Sequence, residues 1–370
     1  MNYYQALARK WRPQSFNEVI GHKYIIKAIS NALSLKKNHH AWIFSGTRGI
    51  GKTTISRLLA KSLNCKQGIS SNPCRICSNC QSIEKGNFID LLEIDAASKT
   101  KIEDIKESLN NIQYSPVQGR FTIYLIDEVH MLSRYSFNFL LKILEEPPKH
   151  IKFILATTNP EKIPNTILSR CLKFNLRELD INDIIYQIKK ILHYENTKYD
   201  LEALQIISRT AAGSLRDALN LTEQAISMGN GIITLQDVTH MIGTINALQS
   251  LSLTIALLKK DANKIFLLLN KIANQGVNWD SILIEILRTL YNIAMLQTVP
   301  SLWDNSNYSI HEKNMLSNIA SKTNNEDIQL YYQALLLSRK ELYMAPSYKI
   351  GTEMALLKTL NIKNTRKLIM

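Results

Sequence analysis

The stretch HAWIFSGTRGIGKTTISRLLAKSL, His40–Leu63, decides the fold. An apolar run ends in GTRGIGKT, Gly46–Thr53, and a helical pattern follows. These eight residues fill every fixed position of G-x-x-x-x-G-K-[ST] in the strand–loop–helix setting that the motif requires. Gly46, Thr47, Arg48, Gly49, Ile50 and Gly51 make a loop whose backbone N–H groups can curl around phosphate oxygens, and the following helix adds the positive end of its dipole. Lys52 can reach the outer phosphates of a nucleotide, and Thr53 can hold Mg²⁺.

Working outward, four more short apolar runs read as strands: Phe88–Ile94, Phe121–Ile126, Lys152–Thr157 and Leu172–Leu176, beside His40–Phe44. Each is bounded by Gly, Asp, Asn or Pro, and helical stretches separate them. That alternation predicts a parallel sheet with helices on both faces. YLIDEVHML then puts Asp127 and Glu128 at the carboxyl end of a strand, where ligands bind in open α/β sheets. Asp127 suits Mg²⁺, and Glu128 suits a base that orients and activates a water. Thr157 and Thr158 close the next strand. Either hydroxyl can hold that water, or cap the turn before Asn159-Pro160. Arg170 stands just before a strand, and Arg216 in the first turn of a helix opened by Gly213-Ser214. A cation at that end works against the helix dipole, so a phosphate partner suits Arg216. On pattern alone, a surface arginine reads equally well at both places.

From about Leu179 strand signals fade. Residues 180–243 read as a small helical unit, and longer amphipathic helices follow, as in ALQSLSLTIALLKK and WDSILIEILRTLYNIAML. The expected division is 1–179, 180–243 and 244–370. The 370 residues carry a formal charge of +14, which fits either an anionic partner such as nucleic acid or the codon bias of an AT-rich genome. No apolar leader and no membrane-length apolar run is visible, so the expected site is the cytoplasm, where thiols stay reduced.

Four of the five cysteines fall in one loop, Cys65-x8-Cys74-x2-Cys77-x2-Cys80, an insertion at about residues 64–82. Four thiolates can make a closed, structural tetrahedral Zn²⁺ site. An iron–sulfur cluster is the rival, although the proline that follows the fourth cysteine of ferredoxin-like runs is absent. The loop is too polar to pack on itself, so a metal would organise it. Cys171 stands apart and reads as a packed small residue.

RKWRPQSFNEVIGH, SGTRGIGKTT, IDEVHMLS, LLKILEEPP, ATTNP, LSRCLKF and GSLRDAL together resemble the gamma/tau family of bacterial DNA polymerase III clamp loader ATPases, of the AAA+ class. The resemblance runs to about residue 360. It implies an α/β P-loop AAA+ domain, a small helical lid and an all-α collar. It implies ATP on Gly46–Thr53, Mg²⁺ and catalytic acids at Asp127 and Glu128, and the sensor-1 position at Thr158. It further implies a trans-acting arginine finger at Arg170 and sensor 2 at Arg216. Arg12, Pro13, Val19 and Ile20 match the segment that covers the adenine, and the family favours zinc on the four cysteines. The implied work is ATP-driven opening of a sliding clamp and its loading on primed DNA, with no polymerase site in this chain. Implied partners are delta- and delta-prime-type loader subunits in a ring, the clamp, and primer–template DNA through its backbone. Tau-type members continue with helicase- and polymerase-binding segments, so the expectation here is a short, gamma-like subunit without that tail. Three other readings are weighed: a non-hydrolysing loader scaffold, a branch-migration helicase and an iron–sulfur redox protein.

Overall fold

The five apolar runs become five parallel strands in a computed structural model that describes residues 5–35, 39–98, 110–243, 245, 247–273, 277–300 and 310–362. They are β1 (Ala41–Ser45), β2 (Leu91–Asp95), β3 (Thr122–Asp127), β4 (Ile151–Thr157) and β5 (Leu172–Asn175), in the order β2-β3-β4-β1-β5. The central strands are buried on both faces, which is why they read as continuous apolar runs rather than alternating ones. Alternate residues still feed different cores. Trp42 and Phe44 join Ile123, Leu125 and Ile154 on one face, while Ala41 and Ile43 join Tyr124, Ile126 and Phe153 on the other.

The register brings the chemistry to one edge. Ser45 pairs with Thr157 and Asp95 with Asp127, so the phosphate loop, the acidic pair and the threonines all leave the sheet at the same end. The second strand begins at Leu91 rather than at Phe88. Phe88–Asp90 turn instead, and the buried Asp90 carboxylate takes the N–H groups of Val117, Gln118 and Gly119 at 2.8, 2.8 and 2.6 Å.

Before and around the sheet come α1 (Leu7–Lys10), α2 (Lys23–Ser34), α3 (Lys52–Asn64), α4 (Ser78–Lys85), α5 (Arg134–Glu145) and α6 (Asn165–Leu168). α3 packs its Ile55, Leu59 and Leu63 under Trp42 and Phe44, and α5 covers the other face with Phe137, Leu140 and Leu144. Then come α7 (Ile181–Tyr194), α8 (Leu201–Thr210) and α9 (Leu215–Met228). Two paired two-residue strands, β6 (Lys198–Tyr199) and β7 (Ile232–Ile233), lie among them. Sequence patterning gives helices alone here, because two residues are too few to show a period.

The chain divides into two compact units, residues 1–233 and 234–370. The second is helical among its described residues: α10 (Leu235–Ile242), α11 (Ala247–Leu258), α12 (Ala262–Ala273), α13 (Trp279–Thr298), α14 (Ile310–Ala320), α15 (Asn325–Lys340) and α16 (Tyr348–Leu360). Ile282, Ile286, Leu290 and Ile293 recur at helical spacing along α13 and are all buried, so this helix forms the axis of that core. Among the described residues, no helix is long and apolar enough to cross a membrane.

Candidate nucleotide site and cysteine cluster

The phosphate loop needs its glycines for different reasons. Gly46 and Gly51 have φ of 143° and 106°, a region that other residues avoid. Gly49 has φ 79°, and a Cβ there would sit 2.0 Å from Ser214 Oγ and 3.3 Å from Arg216 Cβ. Its carbonyl accepts the Arg216 N–H at 3.3 Å, so the loop is docked on the first turn of α9. Ser214 caps that helix by accepting the Asp217 N–H at 3.2 Å. Beneath the loop, His22 is buried, and burial lowers its proton affinity. Its Nε2 lies 3.1 Å from the Ile50 carbonyl, which can only accept, so Nε2 carries the hydrogen. Lys52 donates to the Gly46 and Thr47 carbonyls at 2.8 Å each. Burial pulls its ammonium below the ordinary lysine range, and Arg48 adds to this, while Glu128 and Asp127 oppose it. A phosphate beside it would favour the charged form.

Thr53 Oγ1 donates to Asp127 Oδ2 at 2.9 Å, which joins the two halves of the motif. Glu128 follows in a left-handed conformation, φ 48° and ψ 45°. One of its oxygens, Oε2, accepts from both the N–H and the hydroxyl of Thr158 at 3.0 Å. His130 Nδ1 lies 3.3 Å from the same oxygen and 3.0 Å from Thr157 Oγ1. Thr157 is fully buried, and its hydroxyl accepts the Asn159 N–H at 3.1 Å, the turn-capping role. The geometry therefore pairs Thr158, not Thr157, with the acid. His130 is a neighbour of this acid that sequence reading missed. A lone histidine two residues past a glutamate has no pattern to mark it.

The phosphate loop and the acidic pair open onto a cleft of about 1250 Å³. Arg12, Pro13, Val19 and Ile20 lie along it, as do Gly49 to Thr53, Asp127, Glu128 and Arg216. Eight basic residues (Arg9, Lys10, Arg12, Arg48, Lys52, Arg57, Lys85, Arg216) and four acidic ones (Glu84, Asp95, Asp127, Glu128) line it, a surplus of four positive charges that suits a polyanion. Burial pulls the Arg12 guanidinium below its ordinary value, with Arg57 the next cause. The N-terminal segment is held at its start by the lid helices. Trp11 Nε1–H and Lys10 Nζ donate to Glu195 at 2.7 and 2.8 Å, and the Trp11 ring lies 5.2 Å from that of Tyr194, tilted by 34°. Arg170 lies outside the cleft lining. It is half-exposed, 2.8 Å from Glu145 Oε1, and donates to the Thr166 carbonyl at 2.7 Å.

The four loop sulfurs lie within 4.8 Å of one another. Backbone N–H groups of Cys74, Cys77 and Cys80 point at the sulfurs of Cys65, Cys74 and Cys77 at 3.4, 3.4 and 3.5 Å. Burial opposes ionisation at Cys77, yet N–H groups of Lys66 and Cys80 bring its thiol down to about 6. Burial and the Cys77 sulfur push Cys80 up. Packed this closely, four thiolates repel unless a cation sits among them, and a tetrahedral metal with bonds of about 2.3 Å needs sulfurs roughly 3.8 Å apart. The donor set therefore fits a metal ion. Cys171 is buried elsewhere, its thiol pushed up to about 12 by desolvation.

Three family models cover the chain. DNA polymerase III, delta subunit, matches residues 21–180, the clamp loader ATPase lid domain matches 183–231, and domain III of subunits gamma and tau matches 233–368. The DNA polymerase III subunit gamma of Buchnera aphidicola subsp. Baizongia pistaciae is 56% identical over 367 residues, 99% of each chain. This chain belongs to the gamma/tau family of DNA polymerase III clamp loader subunits. The tau subunit of Escherichia coli K12 is 52% identical over 357 residues, 96% of this chain but 55% of that protein. Among solved structures, the Thermotoga maritima RuvB branch migration motor is 19% identical with a TM-score of 0.48, over 72% of this chain and 86% of that one.

Membership makes the chain an AAA+ ATPase that works in a complex with other loader subunits, and ATP and Mg²⁺ are the cofactors of that class. For the gamma/tau family member, the structure brings most of the expected site residues to one cleft. Thr158 and Arg170 lie outside the lining of that cleft, and Arg57, which belongs to no motif, is added to it, with His22 beneath the phosphate loop and His130 beside Glu128.

Proposed function

We propose that this chain is the ATP-hydrolysing motor of a clamp loader, with the site residues in the roles that their geometry suits. The observation that carries the reading is the run of hydrogen bonds Thr53–Asp127–Glu128–Thr158, which begins in the phosphate loop and crosses the carboxyl end of the sheet. The loop amides and the α3 N-terminus cradle the triphosphate. Lys52 gives up the Gly46 and Thr47 carbonyls for the outer phosphate oxygens. The Thr53 hydroxyl and Asp127 carboxylate would hold Mg²⁺, which when bound offsets phosphate charge. Glu128 orients a water toward the γ-phosphorus. As the water oxygen bonds to phosphorus, the bond to the β–γ bridging oxygen breaks, and Glu128 takes the proton. Thr158 holds the carboxylate in place, Arg216 reads the phosphates from the lid, and Arg12, Pro13, Val19 and Ile20 cover the base.

Arg170 suits a role in trans. It is half-exposed, paired with Glu145 and outside the cleft lining of its own chain, which suits a neighbouring subunit's nucleotide as its target. Such fingers are worth roughly 10³–10⁵ in rate, which would make hydrolysis depend on how subunits sit together. Delta- and delta-prime-type subunits, the sliding clamp and the backbone of primed DNA are the proposed partners, in the cytoplasm. The division 1–179, 180–243 and 244–370 is the proposed functional one. Zinc is the proposed metal on Cys65, Cys74, Cys77 and Cys80, because a closed set of four thiolates suits it and asks for no redox chemistry.

Two variants test the reading. Lys52→Ala should abolish nucleotide binding. Glu128→Gln should bind ATP normally and lose roughly 10²–10⁴ in turnover. Full turnover by Glu128→Gln would remove the proposed base.

A further inference from the structure

The cysteine module does more than fold itself: we propose that it braces the N-terminal strap that closes the nucleotide cleft, and so positions residues for ATP binding. This rests on the reading of that cleft as the ATP site. Helix α4, which carries Cys80, ends in Glu84-Lys85-Gly86, and these three residues form part of the cleft wall. Lys61 on α3 is only 2% exposed, and its ammonium donates to Glu84 Oε2 at 3.2 Å and to Gln14 Oε1 at 2.9 Å. One buried charge thus ties the module to the strap. The second tie comes from inside the metal loop. Arg75, between Cys74 and Cys77, has a left-handed backbone, φ 64°, and its guanidinium lies 3.1 Å from Glu18 Oε1. Glu18 is itself the organiser of the strap's bend, accepting from Gln14 N–H at 2.8 Å and Ser15 Oγ at 3.0 Å.

The strap therefore has two anchors. Residues 7–11 are held by the lid through Glu195, and residues 14–18 are held by Lys61 of α3, which the module's Glu84 pairs and positions, and by the module's own Arg75. Between them lie Arg12 and Pro13, which line the cleft. A segment fixed at both ends pays less conformational entropy when ligand binds than one free at one end. Loss of the module anchor should appear as weaker nucleotide binding, with the phosphate loop intact. The module's own attachment to the sheet is separate. Asn79 on α4 donates to the Asn64 and Gln118 carbonyls at 3.0 and 3.4 Å, so cutting the strap ties does not detach it.

The test is equilibrium binding of a fluorescent ATP analogue to the full chain, for the wild type and the double variant Arg75→Met, Glu84→Gln, each with and without a zinc chelator. Both replacements keep an unbranched stem and remove the charge, and neither touches a cysteine. The double variant is expected to bind roughly three- to tenfold more weakly, the worth of one exposed and one partly buried ion pair. Its metal content should match the wild type, while its thermal midpoint should fall by a few degrees because Glu84→Gln leaves the buried Lys61 ammonium without its carboxylate, so binding is read well below that midpoint. Chelation should weaken the wild type by a similar factor and add little to the variant. Equal affinity of variant and wild type, with the metal retained, would overturn the brace. So would a chelator effect of undiminished size in the variant. Failure of the wild type itself to bind, where Lys52→Ala serves as the blank, would instead remove the ATP-site reading.

Discussion

Gly49→Ala should uncouple the phosphate loop from the lid. The motif leaves this position free, so sequence rules forbid nothing there. The structure does. With φ at 79°, an alanine would be held in the left-handed region at about 1–2 kcal/mol. Its Cβ would also meet Ser214 Oγ at 2.0 Å. That oxygen can swing away only by dropping the Asp217 N–H, which costs the α9 cap about 1 kcal/mol. Arg216 Cβ at 3.3 Å leaves little room to shift. The sum is about 2–3 kcal/mol, or roughly 5–10 °C in the midpoint of a unit this size. Nucleotide affinity should fall roughly tenfold as well, because the loop and the α9 terminus both face the ligand. Ser214→Ala alone should cost about 1 kcal/mol, and almost nothing when added to Gly49→Ala, because the cap is already broken there. Thermal melts and nucleotide titrations of the four proteins make the cycle. Simple additivity, or an unchanged Gly49→Ala protein, would refute the docking argument.

His130→Ala should lower turnover roughly three- to tenfold, because it removes the hydrogen bond to Thr157 and the ring nitrogen 3.3 Å from the Glu128 carboxylate, with nucleotide affinity unchanged. His130→Asn should recover most of it by supplying a donor near the Nδ1 position, and steady-state kinetics beside binding titrations would expose any loss of affinity instead. A thiol reagent should find four reactive cysteines once a chelator has stripped the metal, and the fifth only in denaturant. Cys171 is buried with its thiol pushed up to about 12, so early labelling of all five would contradict that packing. The Lys10 hydrogen bond holds Glu195 below its ordinary value of 4.5, and the Trp11 indole N–H adds to this. A depressed carboxylate stabilises fully above that ordinary value, and its contribution fades as pH falls through the lower folded one. The indole N–H resonance of Trp11 should therefore hold steady at neutral pH and shift only under acid below about 4.5. A shift centred near neutrality would contradict the anchor.

What the sequence discloses and what it conceals divide along contact distance. Gly46–Thr53, Asp127-Glu128 and the four cysteines are each local, so the residues that act together also sit together in the chain. The strands are visible for the same reason, save the start of β2, where Asp90 spends its carboxylate on a loop 27 to 29 residues away. The lid's two-residue strands are too short to leave a period. The interactions that close the cleft are long-range. Trp11 reaches Glu195, Arg75 reaches Glu18, and Lys61 joins Gln14 to Glu84. No spacing rule couples such positions. His130 and Gly49 are local but carry no motif, because their roles depend on which side chain the fold sets against them. Thr157 and Thr158 look alike in sequence, and only the pleat decides which one faces Glu128.

The most direct test measures ATP turnover by this chain assembled with delta- and delta-prime-type partner subunits, with and without sliding clamp and primed DNA. Wild type and Arg170→Ala would be compared, with nucleotide binding followed in parallel. Strong stimulation by clamp and DNA, abolished in the variant while binding persists, is the expected result for a motor completed by its neighbour's arginine. Turnover indifferent to clamp, DNA and Arg170 would contradict the proposed mechanism.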